Sequence, residues 1–348
     1  MRSSFRFASL FVSALLLLAA LSVWNVRRQS SVRATELLKR TMRADNDLTY
    51  AATSTVTAMY GTGAVDSVAR VVRAPRKLSI TYLSGDRKGL NSGYNERWFW
   101  RKNQNAPMQA YAEVKLRPDE MAEHRFALMM QNYRAYWLGE DTINGRPSDI
   151  VEVRPTNPVD GARGPFKRLW IDRETGLSLR NDFFNYQKQP VMKTEISQID
   201  LNPKIDNATF ATPAAMFKVA SKDGWTAEEM GNDVNGVALK SGIRLATPKY
   251  LPQGFHFDAV GVHHCADWGK AKPAALTRYI DGLNAVTIFA MPPQANIEKA
   301  SGGTRGACDF GPGTMITVQK NGLQFVAVGD LPPVTLKRVV ASMDARKN

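Results

Sequence analysis

The sequence predicts an α+β fold dominated by antiparallel strands: a curled, open β-barrel with covering helices, followed by a smaller α+β unit. Three observations carry this. Residues 134–201 alternate apolar and polar side chains with period two, as in KRLWIDRETGLSLRNDFF and MKTEISQIDL, the pattern of half-buried strands. The connections between those runs are too short for crossovers, so neighbouring strands pair antiparallel. The last third adds two hairpin signals, Asp281-Gly282 and Asn321-Gly322, and then an amphipathic helical stripe.

At the start of the chain, Arg2 and Arg6 precede the uncharged run Phe7–Trp24, and Arg27 and Arg28 follow it. A basic start before an apolar run is the pattern of an export signal. At about 18 residues the run also reaches the lower limit of a spanning helix. A cleaved signal and an uncleaved anchor both stay open, and both put the remainder outside the cytoplasm. The absence of a cysteine near the boundary excludes a lipoprotein anchor.

Residues Ala34–Asn46 place Leu37, Leu38 and Met42 in a helical stripe. A strand rich in Thr, Val and Tyr follows over Leu48–Tyr60, and Gly61–Gly63 turns it into Val65–Arg73. Lys77–Leu83 sets Leu78, Ile80 and Tyr82 on one face; a Gly/Asn-rich loop, Gly85–Asn95, leads to a short strand at Arg97–Arg101. Pro118–Tyr133 opens with proline and two acids, which suit a helix start, and carries Met121, Phe126, Leu128, Met129 and Met130.

In the meander, Asn144-Gly145 tolerates the two positive φ angles of a type I′ turn, and the loop Asp172–Gly176 ends in glycine. Leu169 and Ile171 point one way, and Arg168, Trp170 and Asp172 the other. Ile196 and Ile199 fall on opposite sides of a regular strand, so a bulge is expected between them.

The polar, glycine-containing stretch Phe217–Asn235 is read as a linker. The expected organisation is therefore residues 1–33 as signal or anchor, 34–216 as the open barrel, 217–235 as linker and 236–348 as the C-terminal unit. In that unit strands are expected at Ile243–Ala246, Ala259–His264, Leu276–Asp281, Ala285–Ala290, Thr314–Gln319 and Gln324–Gly329. Leu331-Pro332-Pro333 then opens a closing helix over Val334–Arg346.

A barrel of this size can hold a small ligand. Its interior is expected to be lined by Tyr82, Trp98, Trp100, Met129, Trp137, Trp170 and Phe184, with Arg97, Arg101 and Arg168 as rim cations for phosphate or carboxylate. The competing reading is a filled core in which methionine fills gaps.

Lys and Arg outnumber Asp and Glu by 46 to 32, a net charge of +14. That excess favours anionic membrane surfaces, although basic residues on alternating strands also suit a solvated sheet face. Nucleic acid is not expected as a partner, since no helix-turn-helix, zinc-finger or ribonucleoprotein motif is present.

In an oxidising compartment Cys265 and Cys308 pair most economically as a disulfide, which would stabilise the fold by roughly 3–4 kcal/mol. The alternative, a metal-dependent hydrolase built on His256, His263, His264 and the cysteines, matches no standard zinc spacing. No G-x-S-x-G elbow, phosphate-binding glycine loop or H-E-x-x-H motif occurs. No Ser or Cys stands beside His124 or the other histidines with a third orienting group. Asp119, Glu120 and Glu123 suit the positive end of a helix without catalytic purpose. The expectation is a non-enzyme without cofactor or metal.

Two stretches resemble the RseB/MucB family of periplasmic regulators of the envelope-stress sigma factor. One is Leu169-Trp170-Ile171-Asp172 through Gly176-Leu177-Ser178-Leu179, after the Gly145-Arg146 hairpin and the Val153-Arg154-Pro155 strand end. The other is Tyr250-Leu251-Pro252-Gln253-Gly254-Phe255, then Tyr279-Ile280-Asp281-Gly282-Leu283-Asn284 and Ala327-Val328-Gly329-Asp330-Leu331-Pro332-Pro333. The resemblance implies a barrel like that of the LolA/LolB lipoprotein carriers and a C-terminal unit that contacts an anti-sigma factor. It implies binding of that factor's periplasmic segment, shielding it from the site-1 protease, with relief by lipid or lipopolysaccharide. A periplasmic lipid or lipoprotein carrier of LolA type is the alternative, with the same acyl-chain cavity and no regulated partner.

Overall fold

The computed structural model describes residues 29–60, 63–85, 87–96, 98–103, 108–113, 118–157, 159, 166–211, 227–245, 247–264, 273–293 and 314–347. The export segment Phe7–Trp24, the rim residue Arg97 and the cysteines Cys265 and Cys308 lie outside them. Among the described residues no helix is long and apolar enough to cross a membrane.

A helix over residues 29–47 (α1) leads into β1 (Tyr50–Tyr60), β2 (Gly63–Ala74), β3 (Lys77–Tyr82), β4 (Leu90–Tyr94), β5 (Trp98–Asn103) and β6 (Met108–Glu113). Helix α2 (Pro118–Asn132) follows, then the meander β7 (Tyr133–Ile143), β8 (Arg146–Pro155), β9 (Phe166–Asp172), β10 (Ser178–Phe184) and β11 (Pro190–Asp200). All eleven strands form one sheet in the order β6-β5-β4-β3-β2-β1-β11-β10-β9-β8-β7. Its β1–β11 pairing joins the two meanders antiparallel. Strands β6 and β7 do not pair with each other, so the sheet stays open.

The local signals act as their chemistry requires. Asn144 and Gly145 have φ of 50° and 78°, and Asn321 and Gly322 have φ of 53° and 70°, the left-handed pair that a type I′ turn needs. On β11 the register jumps from Thr53↔Ser197 to Ala51↔Asp200, and Gln198 takes a positive φ of 50°. The extra residue turns Ile196 and Ile199 into the same apolar cluster with Leu177 and Leu179, which regular alternation would forbid.

The second unit is built from β12 (Ala227–Gly231), α3 (Val234–Ser241), β13 (Ile243–Leu245), β14 (His256–His264), β15 (Ala274–Ile280), β16 (Ala285–Met291), β17 (Thr314–Lys320), β18 (Leu323–Gly329), α4 (Pro333–Ala341) and β19 (Ala345–Lys347). Six strands form the sheet β12-β14-β15-β16-β18-β17, and β13 pairs with β19. Leu336, Val339, Val340 and Met343 from the α4 region pack on Ile288, Phe325 and Ala327 of the sheet.

Three expectations need correction. The Gly/Asn-rich stretch before Asn95 contains strand β4. Its Gly93 leaves room for the Trp100 ring, which an added Cβ would approach to 2.7 Å; a glycine that reads as loop is here a packing requirement. The stretch read as a linker contains β12, paired with β14, and Asp233, whose carboxylate accepts from Gly236 N at 2.9 Å to cap α3. The closing helix stops at Ala341, and Ala345–Lys347 instead pairs with Ile243–Leu245.

Candidate functional site

Strand alternation divides the large sheet into two faces. On one, α1 lays Ala34 and Leu38 against Tyr133, Ala135, Val151, Val153, Leu169 and Ile171, and α2 adds Phe126, Met129 and Met130. Farther along α1, Ala44 meets Tyr50, Ala52, Leu177 and Leu179. Each fully buried side chain of this size stabilises the packing by about 1.5–3 kcal/mol. This helix-covered trough is the candidate site.

The trough is not purely apolar. Ser54 and Ser67 are buried on it. Arg73, also on this face, donates through Nη1 to the Asp45 carbonyl at the end of α1 and through Nη2 to the Tyr94 hydroxyl at 3.2 Å. A cation there complements the unpaired carbonyls of a helix C-terminus. Burial, reinforced by the Asp45 charge, pushes the Tyr50 phenol up to about 12. Lys167 shares its face with Leu169 and Ile171; burial lowers its pKa, with Asp45 partly opposing. The Oδ1 of Asn181 and the Nε of Arg73 are buried without a hydrogen-bond partner. Orphaned polar atoms inside a trough are costly unless something else meets them. This face is therefore apolar under the helices, with a polar strip along Arg73, Lys167 and Asn181.

Of the residues expected to line the interior, Tyr82, Met129 and Trp137 lie on this side. Trp137 donates from Nε1 to Asp149 Oδ1 at 2.8 Å and lies under the Arg33 guanidinium, 4.1 Å from the ring centroid. Trp100, Trp170 and Phe184 occupy the opposite face. Trp170 is one residue out of step with Leu169 and Ile171, yet its ring is buried beneath Arg180, at 4.3 Å, joins the apolar cluster of Ile143, Leu177 and Leu179, and donates to Asp141 Oδ2 at 2.9 Å. Phe184 stacks on Phe166 at 4.4 Å, and the Arg168 guanidinium lies over it at 5.7 Å. The period of two decides which face each ring takes, but Trp100 and Trp170 are buried all the same. Trp98 and Arg101 belong to β5, but their side chains lie outside the described residues.

Arg168 is no free rim cation, since it pairs with the buried Glu152 at 2.6 Å. The outer face is a lattice of such pairs: Arg146 with Asp172 at 2.8 Å, Arg180 with Asp182 at 2.7 Å and Lys193 with Glu195 at 2.8 Å. Burial raises the Asp172 carboxyl, but hydrogen bonds from Arg146 and Thr175 outweigh it and hold the pKa below the usual value. In the smaller sheet His263 is buried, its ring 5.0 Å from that of Phe289. Among the described residues no three His, Cys, Asp or Glu side chains gather to hold a metal.

The two sheets meet where α2 runs into β7. Asn132 Nδ2 donates to the Gly254 carbonyl at 3.1 Å and the Asp281 carbonyl at 2.9 Å. The Tyr133 hydroxyl donates to Asp281 Oδ2 and accepts from Asn284 Nδ2. Gly282, at φ +96°, sits so close to α2 that an added Cβ would stand 2.2 Å from the Met129 backbone nitrogen. The sequence offered only turn chemistry at Asp281-Gly282 and nothing that tied it to Asn132.

Residues 33–214, just over half of the chain, match the family described as the MucB/RseB N-terminal domain. The chain belongs to the MucB/RseB family. Its fold is similar to a crystal structure of MucB (TM-score 0.53, 18% identity, covering 90% of this chain and 98% of that one). It is similar also to MucB in complex with MucA(peri) (TM-score 0.55, 18% identity, 89% and 98%) and to the Pseudomonas aeruginosa MucA/MucB complex (TM-score 0.51, 17% identity, 90% and 98%). At such identity the likeness speaks for the fold alone. No curated protein sequence matches the chain.

Proposed function

We propose that this MucB/RseB-family chain is a non-catalytic regulator outside the cytoplasm. It holds the extended periplasmic segment of an anti-sigma factor and releases it when an acyl-chain ligand enters the helix-covered trough. The observation that supports the reading is family membership over residues 33–214, together with a fold like that of a MucB whose crystal structure includes MucA(peri). In this reading Phe7–Trp24 directs export and Cys265 pairs with Cys308. Tyr82, Met129 and Trp137 contact the acyl chain, while Lys167 and Asn181 meet its polar end. Release requires that the ligand favour the segment-free state, because a ligand with equal affinity for both states shifts nothing.

The test is titration calorimetry of the full chain with the periplasmic segment of an anti-sigma factor of the MucA type, with and without acyl ligand. Segment binding that weakens as ligand is added supports the regulator. Ligand binding with no affinity for the segment would replace it by a lipid or lipoprotein carrier.

A further inference from the structure

A cavity lies on the opposite side of the large sheet from the trough. The segment from Pro203 through the short 3-10 turn Asn207–Phe210 folds across β1, β2 and β3, pinned by Asn95 Nδ2 donating to the Phe210 carbonyl at 3.1 Å. Beneath it is a cleft of about 260 Å³. Val72 and Ile205 form apolar walls, and Arg70, Lys204, Ser79 and Thr81 supply the polar ones.

Elsewhere on this face Arg146, Arg154, Arg168, Arg180 and Lys193 are each matched by a carboxylate on the same or a neighbouring strand or turn, while Lys77 and Arg134 stand singly among the described residues, outside the cleft. Among the described residues neither Arg70 nor Lys204 has an ion-pair or hydrogen-bond partner. Two uncompensated cations converge on one hollow.

A hydrogen-bond relay also fixes the polarity of the Thr81 hydroxyl. An indole N–H can only donate, and Trp100 Nε1 donates to Asn91 Oδ1 at 2.9 Å. That contact sets the orientation of the Asn91 amide, so Asn91 Nδ2 faces Thr81 Oγ1 and donates to it at 3.0 Å. With its oxygen engaged as acceptor, the Thr81 hydroxyl keeps its proton for a ligand. The cleft thus offers two cations and a pre-set donor, and it asks for an acceptor bearing negative charge.

We propose that this cleft is a binding site for a carboxylate carried on a short apolar stem, distinct from the helix-covered trough. A carboxylate accepts from a guanidinium fork and a hydroxyl together. A phosphate dianion loses more hydration beside the Val72 and Ile205 walls than a monoanion does. The volume lies below the ~300–1,000 Å³ of drug-sized sites, so the head and its first carbons enter while any longer chain stays outside.

The test titrates the full chain with octanoate, octanol, acetate and inorganic phosphate by calorimetry. Saturable octanoate binding is expected, with octanol, acetate and phosphate each at least about tenfold weaker. Arg70→Gln and Lys204→Gln are each expected to weaken octanoate about tenfold, as loss of one charge-assisted hydrogen bond does. Thr81→Val is expected to weaken it several-fold, and Thr81→Ser to restore it. All four substitutions lie on exposed positions away from the trough, so octanoate held in the trough would bind the Arg70→Gln/Lys204→Gln double variant with unchanged affinity. That result overturns the proposal, as does octanol or phosphate matching octanoate.

Discussion

Asp330 follows β18 at the junction of the two sheets, close enough to Tyr133 for its charge to raise that phenol further. Burial pushes the Asp330 carboxyl up to about 6, against about 3.9 for an unfolded aspartate. Between those values the native state holds a proton that the unfolded chain has lost. Stability therefore falls as pH rises from about 4 to about 6, and above that the penalty is constant. Two pKa units at about 1.4 kcal/mol each put the full cost near 3 kcal/mol, as an upper figure. Asp330→Asn removes the charge at similar size. Urea denaturation of both proteins at pH 4, 6 and 7.5 should find the variant more stable by up to about 3 kcal/mol at pH 7.5. The gap should shrink at pH 6 and nearly vanish at pH 4. Carboxylates distant from the junction, such as Asp172, titrate in both proteins and cancel in the difference. A variant that is less stable at pH 7.5, or a gap that does not change with pH, refutes the reasoning.

Gly282→Ala meets both a positive φ of 96° and a backbone nitrogen 2.2 Å from the new Cβ. A loss of at least about 2 kcal/mol is expected in thermal unfolding, and a change under 0.5 would contradict the close approach to α2. Glu152 is the buried acid shared by Arg154 and Arg168. Glu152→Ala should cost about 1–3 kcal/mol, and a double-mutant cycle with Arg168→Ala should show coupling; strict additivity would mean the pair contributes nothing. Lys167→Met removes a cation whose burial disfavours its charge. It should raise the melting temperature while weakening any anionic ligand of the trough; a destabilised variant would mean that the contact of Lys167 Nζ with the Phe183 ring, at 4.7 Å, outweighs the cost of burying the charge.

What could be read from the sequence was local. Asn144-Gly145 and Asn321-Gly322 specify their turns within two residues, and the spacing of Ile196 and Ile199 announces a bulge, because period two leaves no other way to bury both. Parity likewise separated Trp170 from Leu169, although both are buried. Strand β4 stayed hidden because Gly93 looks like a loop residue until the Trp100 ring beside it is known. The junction was out of reach for a different reason: Asn132 and Asp281 stand 149 positions apart, and no propensity or spacing links them. The same holds for Arg73 and Lys167, whose place under α1 depends on which face the helix covers.

Helix α2 ends at Asn132 and strand β7 begins at Tyr133, with no residue between to absorb a change of angle. Those two adjacent residues are also the ones that grip the 281–284 turn. The joint works as a crank without play: whatever lifts α2 away from the sheet beneath it must either turn the smaller sheet with it or break the contacts made by the Asn132 amide and the Tyr133 hydroxyl.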